Sequence, residues 1–181
     1  MKRATRVTIL VLLVCGLGAW LSAHDPRTTA KDFSHALTIE GAGKMELKYK
    51  SMHWNEDAYK RFQTDEAIRK RVNTGVWNNI GTLDLGFDIT LGGQALAKGA
   101  YPFGLNVEPA GQFSLAVKVG NDLKLLPLEV SGSVEPVDFL TFAIYPTAKA
   151  DVFTLEGRGG KFRGKTSVTV PYLAEHAEKR Q

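Results

Sequence analysis

Between residues 37 and 170 apolar side chains recur at every second position, the period of a strand that buries one face. Leu37 and Ile39 alternate with Thr38 and Glu40. After a turn at Gly41-Ala42-Gly43-Lys44, Met45, Leu47 and Tyr49 alternate with Glu46, Lys48 and Lys50, so the two runs form a hairpin. The cleanest run is Leu83, Leu85, Phe87, Ile89 and Leu91, read as one strand ending at the Gly92-Gly93 turn. Tyr101, Phe103, Leu105 and Val107 follow, then a turn at Pro109-Ala110-Gly111 and the run Phe113, Leu115, Val117 and Val119, which ends at Gly120-Asn121-Asp122.

Later strands are more interrupted. Residues 126–130 contain Pro127, which suits a sheet edge because proline has no N–H to donate. Leu140, Phe142 and Ile144 lie between Pro136 and Pro146. Phe153 and Leu155 lead into Arg158-Gly159-Gly160-Lys161, read as a hairpin turn, and residues 166–170 close the set before Pro171. The pattern predicts an antiparallel β-sandwich of about 8–9 strands. About two dozen inward apolar side chains, at roughly 1.5–3 kcal/mol each when fully buried, would dominate its stabilisation.

One segment breaks the alternation. Residues 55–72 are charged and lack glycine and proline; Asn55 suits a helix cap, Glu56 and Asp57 a first turn, and Arg69, Lys70 and Arg71 a last one. With Tyr59, Phe62 and Val72 as a thin apolar stripe, this is expected to be a helical insertion lying across one end of the sandwich. The boundaries that follow are a signal peptide over 1–23, a tether over 24–33, the sandwich domain over 34–173 and a frayed helical tail over 174–181.

The leader changes how the charge is read. Lys2, Arg3 and Arg6 precede an apolar run over residues 7–21, about 22 Å of helix at roughly 1.5 Å per residue, short of a bilayer core of about 30 Å. Leu21-Ser22-Ala23 offers a cleavage site before His24. The pattern predicts a cleaved signal and a periplasmic or secreted protein, with membrane contact only through this segment if it is retained. The net charge of +4 falls to +1 without the three leader cations, leaving 20 basic against 19 acidic side chains. That gives no footprint for nucleic acid. Cys15, the single cysteine, also sits in the leader, so the body has no disulfide, thiolate ligand or cysteine nucleophile.

At Leu91-Gly92-Gly93-Gln94-Ala95-Leu96-Ala97-Lys98-Gly99-Ala100-Tyr101 the chain resembles the exported bacterial proteins of the domain-of-unknown-function family numbered 2911. Their recurring core is a strand, a double-glycine turn, a short apolar step and a Gly-x-Tyr that opens the next strand. Ser34-His35-Ala36 before the first strand, Trp77, Val134-Glu135-Pro136-Val137 and the closing run from Lys165 to Pro171 keep the same order. The chain departs from the family at Met52-His53-Trp54, where members carry a Pro and a Gly-Arg pair. It departs again at Trp77-Asn78-Asn79-Ile80, where they carry Trp-Arg and an Asn-Glu stretch. The resemblance implies an exported β domain and brings no activity, cofactor or ligand with it.

Candidate chemistry is sparse. His53, Trp54, Trp77, Asn78 and Asn79 flank the helical insertion; aromatic faces beside amides are what a sugar-binding cleft uses, and tryptophans at sheet ends also simply cap cores. Cleavage after Ala23 would make His24 the first residue, able to chelate copper through its amine and imidazole with His35 or His53 as a further ligand. Asp84 and Asp88 read as a solvated strand face. Residues 157–160 lack the strand-to-helix context of a phosphate loop, and no serine sits in a nucleophile elbow. The leading expectation is a non-enzymatic module that binds a small molecule, glycan or protein and needs no cofactor. The alternatives are a hydrolase of envelope or extracellular polymer and a copper-binding protein through His24.

Overall fold

The computed structural model describes residues 30–109 and 112–178. The leader, Cys15, His24, most of the expected tether, the Ala110-Gly111 turn and the last residues of the tail lie outside them.

Among the described residues ten strands form two antiparallel sheets with a short helical insertion, the all-β sandwich expected. One sheet has six strands: β1 (Lys31–Ile39), β2 (Gly43–Ser51), β3 (Gly81–Leu85), β6 (Gly99–Val107), β7 (Phe113–Val119) and β8 (Asp122–Pro127), side by side in that order. The other has four, in the order β5 (Gln94–Leu96), β4 (Ile89–Leu91), β10 (Val152–Thr169) and β9 (Glu129–Pro146). Phe103, Leu105, Leu115 and Val117 of the first sheet face Ile89, Leu91, Leu140 and Val168 of the second in one core. Alternation puts them there: each lies two residues from the next inward side chain of its strand.

The run from Leu83 to Leu91 is two strands, not one. β3 pairs with β2 and β6, whereas β4 pairs with β10 and β5, so the chain crosses between sheets at Gly86. Gly86 N–H donates to the Lys44 carbonyl at 2.8 Å, and a Cβ on Gly86 would come 2.6 Å from that oxygen. The alternation survives the crossing because both strands face the same core from opposite sides, with Phe87 buried at the bend.

Gly159-Gly160 lies inside β10, at a bulge in the β9–β10 pairing whose extra residues are on β9, and not at a hairpin turn. The β9–β10 register shifts on both sides of Gly160, which has φ 54°. A side chain on either glycine would fall inside the Trp54 indole, so both are needed for close approach. The bulge also inverts the strand's parity: Phe153 and Leu155 point inward before it, Phe162 and Val168 after it. Likewise the runs expected on either side of Pro136 belong to the single long strand β9. Pro127 does end an edge strand, β8, which begins earlier than expected, at Asp122.

The insertion is two helices, α1 (Glu56–Thr64) and α2 (Glu66–Asn73). Asn55 Oδ1 accepts from Ala58 N–H at 2.9 Å and caps the first. Asp65 Oδ1 accepts from Ile68 N–H at 3.0 Å and caps the second; that competing cap breaks the helix expected to run unbroken. β1 starts at Lys31, inside the segment read as tether. The tail helix α3 (Pro171–Glu178) starts at Pro171, whose fixed φ and missing N–H suit a first turn, rather than at Ala174. No helix among the described residues is long and apolar enough to cross a membrane.

Candidate functional site

The sequence-selected residues do not share one surface. Trp54 is buried in the core, stacked on Phe162 at 5.9 Å, and its indole N–H donates to Glu56 Oε2 at 3.2 Å. Trp77, half-buried in a 3-10 turn (Val76–Asn78), meets Trp54 at 6.2 Å and stacks on Phe113 at 6.0 Å. With Tyr59 and Phe62 these rings plug one end of the sandwich. Asn78 donates its amide N–H to the Asn73 carbonyl, and its buried Oδ1 has no partner among the described residues. Asn73 brackets Val107, donating to its carbonyl at 2.9 Å and accepting from its N–H at 2.8 Å. These amides hold the helical insertion against β6.

His53 is exposed and faces Phe139 across an isolated bridge, its ring edge-on to Phe139 at 5.5 Å. Residues 52–54 run along the free edge of β9: Leu140 N–H donates to the Met52 carbonyl at 2.9 Å and Trp54 N–H to the Asp138 carbonyl at 2.7 Å. Asn79 lines a depression on the outer face of the six-stranded sheet.

That outer face carries two shallow depressions among charged side chains. Along β2 the outward side chains are Glu46, Lys48 and Lys50; across from them stand Ala36, Ser34 and Asp32 of β1, and Asp84 and Thr82 of β3. One depression of about 540 Å³ is lined by Asp32, Ser34, Lys48, Lys50, Asn79 and Thr82, among others. A second, of about 290 Å³, takes in Lys44, Glu46 and Asp84 and ends at Gly86 and Gly99. Both lie along β2 and β3, one toward each end of their pairing, and the groove is the shallow strip that they outline. The small residues Ser34, Ala36, Thr82 and Ala100 leave its floor open.

The charges along the groove are paired. Lys50 Nζ lies 2.8 Å from Asp32, Lys48 Nζ 2.9 Å from Asp84 and 3.3 Å from Glu46, and Lys44 Nζ 2.9 Å from Glu46. Ser34 Oγ donates to Glu46 at 2.6 Å. The Ser34 hydroxyl, with Lys44 and Lys48, holds the Glu46 carboxyl down from 4.5 to about 2. Asp84 first, then Glu46, raises the Lys48 ammonium above its usual range. Three cations answer three carboxylates, so the groove is nearly neutral and carries donors and acceptors side by side. Asp84 thus lies on a solvated strand face, while Asp88, in the crossing segment, accepts from Lys98 N–H at 2.7 Å.

A second polar cluster sits on the outer face of β10. Glu156, only 3% exposed, accepts from Arg163 Nε at 2.8 Å and Nη2 at 2.7 Å, with Lys165 Nζ at 3.8 Å and Arg158 Nε at 4.0 Å. Arg158 also donates to the Glu135 carbonyl at 3.0 Å. The bulge creates this cluster, since its parity change puts Arg163 and Lys165 on the same face as Glu156. Among the described residues no three His, Cys, Asp or Glu side chains gather as a metal site; His35 lies in β1 opposite Leu47.

The groove residues were missed because charged outward positions on a strand read as ordinary solvated surface. The signal available was the pairing of Lys44, Lys48 and Lys50 with Glu46 and Asp84 at matching positions of adjacent strands. No protein-family model matches the chain, and no curated protein or solved structure matches it.

Proposed function

We propose that this protein is an exported, non-enzymatic binding module whose ligand is a neutral, hydroxyl-rich chain, a glycan, lying along the β2–β3 groove. The observation that carries the reading is the alignment of the two depressions over paired charges. An elongated groove suits a linear polymer. A charged ligand would have to pull apart the Lys–carboxylate pairs, whereas sugar hydroxyls can donate to the carboxylates and accept from the ammoniums without separating them. Export rests on the basic, apolar and small-residue pattern of residues 1–23. Kinship with the 2911 family belongs to this reading and rests on the sequence resemblance alone; the residues that carry it fall on β4, the Gly92-Gly93 turn with φ 54° and 86°, β5, and Gly99-Ala100-Tyr101 at the start of β6.

The test is calorimetric titration with a panel of neutral oligosaccharides, followed by the double variant Lys48→Ala, Thr82→Ala. Binding by the parent and at least tenfold weaker binding by the variant, with an unchanged far-ultraviolet spectrum, supports the reading. Equal binding by both places the ligand elsewhere.

A further inference from the structure

We propose that two copies of this chain associate through β8, edge to edge and antiparallel, joining their six-stranded sheets. Sheet edges are reactive because they carry unpaired backbone groups, and three of the four edges among the described residues are blunted. β5 is three residues long. The free edge of β9 is occupied by residues 52–54 and by the Tyr49 hydroxyl, which binds Phe142. β1 closes toward β9, with Lys31 Nζ 5.2 Å from the centre of the Phe139 ring. β8 carries Lys124 and ends at Pro127, which removes its last donor. No chain among the described residues lies along its edge from Asp122 to Leu126, however, and its outward side chains Leu123 and Leu125 are 43% and 46% exposed.

The register follows from the hairpin. Val119 and Asp122 flank the two-residue turn Gly120-Asn121, so this pair exchanges hydrogen bonds and alternate residues of β8 point their backbone groups at β7. Leu123 and Leu125 therefore direct their N–H and C=O groups away from it. Within one chain Lys124 Nζ already lies 3.6 Å from Asp122. A two-fold axis at Leu123 pairs Leu123 with its own copy and sets Asp122 opposite Lys124 of the second chain, twice over, extending that pair across the seam. Moving the axis by one residue to Lys124 would oppose like charges. The self-complementary charges on either side of the opposed Leu123 pair make a second copy the fitting occupant, with Leu125 falling opposite Asn121 of the turn.

The experiment uses purified protein, with Cys15 replaced by serine where the leader is present, and measures mass by light scattering across a concentration series. A mass approaching that of two chains is expected. Leu123→Cys should form an intermolecular disulfide on mild oxidation, since directly opposed residues of a hydrogen-bonded pair lie about 5.5 Å apart, within disulfide reach. Lys124→Asp should shift association to higher concentration, and adding Asp122→Lys should restore it. A single-chain mass at every concentration overturns the proposal. So does cross-linking through Leu125→Cys in place of Leu123→Cys.

Discussion

The Tyr49 hydroxyl takes the place of a strand neighbour for Phe142, donating to its carbonyl at 3.1 Å and accepting from its N–H at 2.9 Å. Phe142 sits where β9 has β10 on one side and no strand on the other. A phenol from the opposite sheet satisfies both exposed backbone groups, and the two rings meet edge-on at 5.3 Å. Burial raises the Tyr49 hydroxyl above its ordinary pKa, opposed by the bond to the Phe142 backbone, so it stays protonated and able to donate. Tyr49→Phe keeps the ring contact and strands two buried backbone groups. It should cost about 1–3 kcal/mol in urea unfolding with an unchanged slope. Parent-like stability would show that the hydroxyl is dispensable.

Gly159→Ala tests the bulge. The added methyl would overlap the Trp54 ring, which is stacked on Phe162 and cannot retreat without opening the aromatic end. A loss of about 1–3 kcal/mol is expected, the usual cost of overpacking, together with a change in tryptophan fluorescence. An exposed hairpin turn would accept alanine with neither effect.

The groove has a pH signature. The Glu46 carboxyl is held at about 2 in the folded chain against 4.5, so its contribution to stability is present above 4.5 and is lost as pH falls through 2. The first cause is the Ser34 hydroxyl. Ser34→Ala should therefore move the Glu46 titration, followed by side-chain carboxyl NMR, upward toward 4.5. An unmoved titration would assign the depression to Lys44 and Lys48 alone.

Much of this architecture was legible in the sequence because one period governs most of it. Leu37, Ile39, Met45, Leu47 and Tyr49 reveal both their strand and its buried face. What stayed hidden depends on partners distant in the chain. Gly159-Gly160 looks like a turn because a glycine that admits the Trp54 ring and a glycine that bends the backbone read alike. The crossing at Gly86 leaves no mark, since Leu85 and Ile89 face one core from opposite sheets. Asn73 and Tyr49 act on backbone 34 and 93 residues away, which no local pattern encodes. Of the five residues picked out as a binding site, Trp54, Trp77 and Asn78 pack at the closed end, His53 lies along the edge of β9, and Asn79 reaches the groove.

The central claim is that the β2–β3 groove receives the ligand, and an amide NMR titration with neutral oligosaccharides tests it most directly. Shifts concentrated at Ser34, Lys48, Thr82 and Asp84, saturating with added ligand, are the predicted result. Shifts confined to the aromatic end around Trp54 and Trp77, or none with any sugar in the panel, would contradict it.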